Sequence, residues 1–209
     1  MARIDPNPSP RYQALMRVYA RLHLDGDPAN KVPAEKVFDG RHLIPHIEVL
    51  RQLCRRFQAK SLLDYGCGKA LAYEGTKAKS KGTGLDVQGL KALWELDRVA
   101  FYDPALAQFA DLPEGSFDAV LATNVLEFTP PEDIDWVLSE IVGYATRFVF
   151  IAVACYASSW TLPGGGNYHA TVASAGWWTD RLLAARSDQG PRIFALLFDH
   201  ENHRVMAEI

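Results

Sequence analysis

The chain has 209 residues, 48% of them hydrophobic and 22% charged, which is typical of one soluble globular domain. No apolar run approaches the roughly 18 residues that a membrane-spanning helix needs, and three cysteines without metal-ligand spacing argue against a disulfide framework or a metal site. We therefore expect a protein with no membrane span and no bound metal. Since its first residues also lack the pattern of a signal peptide, we expect it to be cytoplasmic.

The net charge of −3 is unevenly divided along the chain. Residues 1–81 carry 15 Lys and Arg against 8 Asp and Glu, and residues 82–209 carry 7 against 17. A basic N-terminal face would attract an anionic partner, but such charges also occur on ordinary solvated helices. Since no aromatic residues alternate with the basic ones as in a nucleic-acid platform, we do not expect nucleic acid as a partner.

Two helices are predicted before the first strand. Apolar residues recur at helical spacing over Tyr12–Leu24 and over Leu43–Phe57. The glycine and prolines of Asp25–Asp39 predict a loop between them. Such helices can simply cover the edge of a sheet.

The segment Ser61–Lys69 (SLLDYGCGK) is the most informative in the chain. It is typical of a buried strand that ends in the carboxylate Asp64 and turns on Gly66 and Gly68, where the backbone can approach a ligand closely. Open α/β sheets bind ligands at the carboxyl ends of their strands. The segment therefore predicts a nucleotide-like ligand at this turn.

Two negative observations narrow the class of ligand. The G-x-x-x-x-G-K-[ST] motif of P-loop NTPases is absent. The dinucleotide fingerprint G-x-G-x-x-G fails because Leu71 stands where its third glycine packs helix against strand near a pyrophosphate. A ligand without a pyrophosphate fits better.

Two segments compete for the second strand, whose terminal carboxylate would accept both hydroxyls of a ribose. Asp86 lies 22 residues after the first carboxylate, near the roughly 20-residue spacing of nucleotide folds. Asp103 follows Val99–Tyr102, which has the higher β-propensity and is ended by Pro104. We favour Asp103, which makes residues 80–97 an insertion, and keep Asp86 as the alternative.

The remaining elements follow from the same patterns. Two strands close together at the C-terminus suit a sheet whose last strand is antiparallel. The predicted strands are Phe117–Ala122, Phe148–Ala154, Ile193–Phe198 and Arg204–Ile209, and the predicted helices are Ala70–Ala78, one that starts near Pro130, and Trp177–Arg186.

These motifs resemble those of class I S-adenosylmethionine-dependent methyltransferases, whose first motif ends strand one with an acidic residue and G-x-G. Leu112–Val120 is similar to the segment that leads into the family's fourth strand, and Thr123–Phe128 (TNVLEF) to its T-D-V-L-E-H motif. A bacterial subgroup of small methyltransferases is resembled more narrowly, by Phe38–Asp39–Gly40, Tyr102–Ala105 and Thr161–His169. The resemblance extends over the chain from Tyr12 onward.

The resemblance implies one α/β domain with a Rossmann-like sheet, mostly parallel with the last strand antiparallel. Residues 1–60 would form an N-terminal helical cap and residues 61–209 the core. It implies S-adenosyl-L-methionine as cofactor and methyl transfer to a small-molecule oxygen or nitrogen acceptor. The alternatives are a methyltransferase acting on RNA or protein, and a cofactor-binding interaction protein without turnover.

The resemblance also implies the site residues. Those expected to bind the cofactor are Asp64, Tyr65, Gly66, Cys67, Gly68, Asp103, Pro104, Thr123, Asn124, Val125 and His46. Methyl transfer needs positioning and, for some acceptors, a base. Those expected to take part in catalysis are Asn124 beside the methyl group, His169 as base and Tyr168 as hydroxyl donor.

His169 is the first candidate for a base because an unperturbed histidine titrates near pH 6.5. It lies in a glycine-rich loop after the fifth strand, and the alternative is a histidine that only orders the backbone there. Three positions depart from the family pattern, since Asn124 replaces an aspartate, Phe128 a histidine and Ala70 a glycine. These departures concern the chemistry of the acceptor more than the binding of the cofactor.

Overall fold

The computed structural model describes residues 7–75, 77–79, 86–200 and 203–209. Its strands are β1 (Ser61–Tyr65), β2 (Lys77–Lys79), β3 (Asp86–Gln88), β4 (Arg98–Tyr102), β5 (Phe117–Thr123), β6 (Ala145–Ala154), β7 (Arg192–His200) and β8 (His203–Glu208). Its helices are α1 (Pro10–Asp25), α2 (Ile47–Arg56), α3 (Leu71–Gly75), α4 (Leu90–Leu93), α5 (Ile134–Tyr144) and α6 (Ala175–Ala185). Among the described residues, no helix is both long and apolar enough to cross a membrane.

Six strands form one sheet in the order β4-β1-β5-β6-β7-β8. Neighbouring strands are parallel except β7 and β8, which are antiparallel. The prediction of a mostly parallel sheet with an antiparallel last strand is therefore confirmed. With helices on both faces, this is a Rossmann-like α/β fold.

Alternate residues of each central strand face opposite helical layers. In β6, Val149, Ile151 and Val153 pack in the cluster that contains α5 and α6, whereas Phe148 and Phe150 pack in the cluster that contains α2 and α4. Burial on both faces explains why the central strands consist of nearly continuous apolar residues.

The two N-terminal helices lie on different sides of the sheet. Ser9 caps α1 by accepting a hydrogen bond from the Tyr12 backbone nitrogen, and Gly26 ends the helix at a φ of 78°. Tyr19 and Leu22 of α1 belong to a separate cluster near the carboxyl edge of the sheet, whereas α2 packs on the sheet face with α4. The described part of the N-terminal segment, residues 7–60, is thus divided between the sheet edge and one sheet face.

The strand beside β1 is β4, which runs parallel to it with Leu63 opposite Ala100. Asp103 therefore follows the strand next to the glycine turn. Asp86 instead begins β3, which pairs only with β2 in a separate two-stranded sheet. The predicted helix Ala70–Ala78 is wrong in its second half, because α3 ends at the poor helix former Gly75.

Candidate functional site

A pocket lies where the carboxyl ends of β4, β1 and β5 meet. It holds about 830 Å³ of space free of protein atoms, including the part open to solvent. The residues that follow the three strands line it together with α1, the loop after α1 and the start of α5. They are Tyr12, Met16, Tyr19, His23, Phe38, Gly40, His42, Asp64, Tyr65, Gly66, Cys67, Gly68, Asp103, Pro104, Ala105, Thr123, Asn124, Val125, Phe128, Thr129 and Val137.

Ten of the eleven residues expected to bind a cofactor line this pocket. The parallel strands bring them together because each strand delivers the residues that follow it to the same edge. The expected residues outside the lining are His46, Tyr168 and His169, which contact other parts of the protein.

The glycine turn is packed against the protein's own chain. Gly66 and Gly68 have φ of 75° and 55°, which glycine adopts without strain. A Cβ on Gly68 would lie 2.2 Å from the Phe38 carbonyl oxygen, and one on Gly66 would lie 2.4 Å from Cγ2 of Val125. These two glycines therefore allow other parts of the protein to approach the turn closely. The sequence had predicted close approach of a ligand.

The backbone N–H groups of the turn are also used within the protein. The N–H groups of Gly66 and Cys67 donate to the Tyr102 carbonyl oxygen at 2.7 and 3.1 Å. The N–H group of Gly68 donates to the Asp103 carboxylate at 2.9 Å. The N–H of Lys69 donates to the preceding loop at 2.8 Å. Since phosphate-binding loops present free N–H groups, this turn is not arranged to hold a phosphate.

Asp103 is buried at the pocket wall with both carboxyl oxygens hydrogen-bonded. Oδ2 accepts from the Gly68 N–H and Oδ1 from the Ala105 N–H, each at 2.9 Å. Burial raises the pKa of Asp103, and these two backbone donors oppose that shift. Each oxygen keeps a further lone pair for a ligand.

His23 of α1 lies beside this carboxylate and is a pocket residue that the sequence reasoning missed. Its Nε2 lies 3.9 Å from Asp103 Oδ1, and its Nδ1 lies 3.1 Å from Lys69 Nζ. An ammonium group only donates, so Nδ1 accepts and Nε2 carries the proton. Burial, with the charge of Lys69, lowers the pKa of His23 to about 4 and keeps the ring neutral.

The helical spacing of α1 was the available signal for His23. Tyr12, Met16 and Tyr19 precede it at positions that share one face of a helix, and all four line the pocket. From the sequence alone, that face of the helix is predicted to be apolar. Because His23 lies on the same helix face as these residues, the pocket extends along α1 as far as His23.

Asp64, at the end of β1, is buried and lines the pocket. Its Oδ2 accepts a hydrogen bond from the Tyr73 hydroxyl at 3.0 Å. Burial raises the pKa of Asp64 to about 7, although the Tyr73 hydrogen bond acts in the other direction. The carboxyl group therefore changes protonation near neutral pH.

At the end of β5, Asn124 takes a left-handed conformation with a φ of 54°, which asparagine tolerates better than most residues. Its Nδ2 donates to Glu127 Oε1 at 2.9 Å, and the Ala154 N–H donates to the same oxygen at 3.2 Å. Glu127 is fully buried, and burial raises its pKa to about 7. Its Oε2 has no hydrogen-bond partner among the described residues.

The loop that was expected to supply a base is held by contacts of its own. His169 Nδ1 lies 2.6 Å from the Tyr156 carbonyl oxygen, so this nitrogen carries the proton and donates. Burial lowers the pKa of His169, and its ring contacts Phe128, which does line the pocket. Tyr168 donates to Asp27 at 2.6 Å. His169 therefore orders the backbone through Nδ1, while Nε2 keeps the basic lone pair; its role as a base stays a prediction.

His46 lies away from the pocket lining. It is 3% exposed, and its ring packs 5.4 Å from the ring of Phe150 and 6.2 Å from that of Phe198. Phe150 faces the α2 layer of the sheet. The expected contact of His46 with a cofactor has no support from this position.

An aromatic wall, consisting of Tyr19, Phe38 and Phe128, closes one side of the pocket. Each pair of these rings meets edge to face at 5.7 or 5.8 Å. The Tyr19 hydroxyl donates to the Phe128 carbonyl at 3.1 Å. The hydroxyl is thus satisfied by the protein, and the wall presents ring carbon to the pocket.

Comparison of the chain with protein-family models and with curated proteins finds no match. What the pocket binds must therefore follow from its chemistry. Two carboxyl groups and an aromatic wall line it, and no Lys or Arg is among the described lining residues. Such a lining suits a neutral or cationic ligand better than a polyphosphate.

Proposed function

We propose that the protein transfers a methyl group from S-adenosyl-L-methionine to an oxygen or nitrogen atom of a small molecule. The observation that carries this proposal is the junction of β4, β1 and β5, where Asp103, the glycine turn and Asn124 line one pocket. This arrangement agrees with the motif order of the methyltransferase family that the sequence resembles.

The chemistry of the pocket fits the adenosyl sulfonium better than a dinucleotide. Each Asp103 oxygen keeps a lone pair, as two neighbouring ribose hydroxyls require. The turn offers no free N–H for a pyrophosphate, and the lining described here contains no cationic lysine or arginine. Carboxylates and aromatic rings both attract a positively charged sulfur.

In this proposal the residues divide the work of binding along the sheet edge. Asp103 holds the ribose hydroxyls, and Asp64 with the glycine turn holds the methionine end. Thr123, Asn124 and Val125 face the reacting centre, and the aromatic wall excludes water from it. The cofactor, when bound, supplies a methyl group already activated on sulfur.

The closed wall favours a small acceptor over RNA or protein. α1 and the loop after it contribute side chains over the carboxyl edge, and Tyr19, Phe38 and Phe128 contact one another there. Methyl-transfer assays with cell extract, with and without RNase or protease, separate these acceptors. Binding of the cofactor with no transfer to any extract component would identify an interaction protein.

Calorimetric titration tests the proposal. S-adenosylmethionine and S-adenosylhomocysteine should bind the wild type with micromolar affinity, and NAD should not. Asp103→Asn removes a charged acceptor, worth roughly 1.5–3 kcal/mol, and should weaken both adenosyl ligands about 10- to 100-fold. The matched control is Asp97→Asn, which changes an exposed aspartate at the opposite end of β4.

Failure of both adenosyl ligands to bind the wild type would refute the proposal. Equal loss of affinity in Asp97→Asn and Asp103→Asn would mean that the loss reflects general damage. An Asp86→Asn variant completes the set, because selective loss there would move the ribose site away from β4.

A further inference from the structure

The amide of Asn124 has a fixed orientation at the β5 side of the pocket. Its Nδ2 donates to Glu127 Oε1, which also accepts from the Ala154 N–H and so acts as an acceptor in either protonation state. The amide oxygen Oδ1 must then point away from Glu127. In the part of the chain that the structure describes, no group donates a hydrogen bond to Oδ1.

Asn124 gives the fully buried Glu127 a donor that does not depend on protonation. An aspartate at position 124 would have to share a proton with Glu127, because two carboxylates cannot both ionise at the 2.9 Å that separates Nδ2 from Oε1. Asn124 needs no such proton and keeps an acceptor for a ligand in the pocket.

No described residue that lines the β5 side of the pocket can take a proton at neutral pH. The lining there consists of Thr123, Asn124, Val125, Phe128 and Thr129, with Tyr12 and Tyr19 of α1. Glu127, whose pKa burial raises to about 7, is fully buried and does not line the pocket. Burial raises the pKa of both tyrosines above its usual value, so their hydroxyls stay protonated. A carboxamide such as that of Asn124 is not a base.

The carboxyl and histidine groups of the lining belong to β1, to the residues after β4, to α1 and to the loop after α1. Asp64 lies in β1 and Asp103 directly follows β4, and both are proposed to hold the cofactor. The basic nitrogen of His23 is occupied by Lys69, and His42 follows the segment that packs on the glycine turn.

Because no base is among the described lining residues beside Asn124, the pocket selects the acceptor atom. An alcohol or phenol must lose its proton to become a good nucleophile, and an alkyl amine is protonated at pH 7, since its pKa is near that of lysine, about 10.4. An aromatic amine or azole is uncharged at pH 7. It can donate an N–H to Oδ1 and still present nitrogen electrons to the methyl group.

We infer that the acceptor is a small, uncharged aromatic nitrogen compound whose N–H is received by Asn124 Oδ1, with Glu127 as the positioning residue of that amide. This inference rests on the proposed function. The nitrogen electron pair forms the new bond to the methyl carbon while the carbon–sulfur bond breaks and its pair stays on sulfur. The nitrogen then releases its proton to water. The aromatic wall matches a flat ring, because rings prefer edge-to-face contacts of this kind.

Ring-matched probe pairs test the inference by binding as well as by turnover. Aniline and phenol form one pair, 1-naphthylamine and 1-naphthol another, and benzylamine serves as the charged amine. Each is titrated calorimetrically into the protein saturated with S-adenosylhomocysteine. The aromatic amines should bind at least tenfold more tightly than benzylamine, and they alone should be methylated when S-adenosylmethionine is supplied.

Variants separate the role of the amide from that of the fold. Asn124→Ala should weaken the binding of the aromatic amines to the protein saturated with S-adenosylhomocysteine about tenfold, the loss of one hydrogen bond. Glu127→Leu releases the amide and should raise KM for the amine more than it lowers kcat. Glu127→Gln keeps an acceptor oxygen and should restore the wild-type KM.

The matched control is Gln52→Ala, which removes an exposed amide donating to Glu48 at 3.3 Å. It should leave every titration unchanged. Methylation of the phenols as fast as of the amines, or binding of the amines that Asn124→Ala does not weaken, would overturn the inference and leave the proposed function standing. No binding of S-adenosylhomocysteine to the wild type would refute both.

Discussion

The Gly68→Ala substitution tests how the glycine turn is built. Gly68 has a φ of 55°, and a Cβ there would lie 2.2 Å from the carbonyl oxygen of Phe38. That contact is with backbone, so the loop that carries Phe38 must move. Its movement breaks two hydrogen bonds, from the Lys69 N–H to Phe38 at 2.8 Å and from the Leu71 N–H to Asp39 at 2.9 Å.

Three effects determine how much Gly68→Ala lowers the free energy of unfolding. A left-handed conformation costs an alanine roughly 1–2 kcal/mol, and each lost hydrogen bond costs about 1 kcal/mol. The lower entropy of the unfolded alanine chain returns about 0.4–1 kcal/mol. We therefore expect the free energy of unfolding to fall by about 3 kcal/mol, which lowers Tm by roughly 6–12 °C in a protein of this size.

Gly115→Ala is the matched control, because Gly115 has a φ of 79° and nothing within 4 Å of the Cβ position. It should cost only about 1 kcal/mol, the price of the conformation. Denaturant unfolding of both variants gives the difference. Equal destabilisation by the two substitutions would refute the close approach of Phe38 to the turn.

Three further predictions concern stability. Ala70→Gly should raise the free energy of unfolding by up to about 1 kcal/mol, since Ala70 has a φ of 53° and glycine relieves more strain than it costs in entropy; a loss above 1 kcal/mol in urea unfolding would contradict this. Burial raises the pKa of both Asp64 and Glu127 to about 7, so the folded state binds more protons than the unfolded state between about pH 4 and 7 and stability should fall as the pH rises through that range. Asp64→Asn should flatten this fall, and an unchanged pH profile of the unfolding free energy would contradict the shift. Tyr168→Phe removes the 2.6 Å hydrogen bond to the buried Asp27 and should cost about 1–3 kcal/mol; Asp27→Asn measured alone and together with it in a double-mutant cycle should show coupling, and purely additive effects would deny the contact.

The parts of the site that the sequence predicted are those encoded locally. An apolar run that ends in Asp64 and glycine predicts a strand and a turn by itself, and the parallel sheet then determines where that turn lies. Asp103 was favoured over Asp86 from the β-propensity before it, and β4 does lie beside β1. The spacing rule pointed to Asp86 because it assumes no insertion between the strands.

The remaining roles depend on contacts between distant residues. His169 donates to a carbonyl 13 positions away, and Tyr168 donates to a carboxylate 141 positions away. No local sequence pattern predicts either of these hydrogen bonds. His46 faces the α2 layer, and this orientation is determined by tertiary packing. His23 lines the pocket because α1 crosses the carboxyl edge of the sheet. The sequence of α1 alone does not predict that crossing.

A crystal structure of the protein grown with saturating S-adenosylhomocysteine tests the central claim most directly. We predict the ribose hydroxyls within hydrogen-bonding distance of Asp103, the sulfur on the side of Asn124, and the aromatic wall in place over the ligand. A ligand bound elsewhere on the protein, or no ligand in this pocket, would contradict the claim.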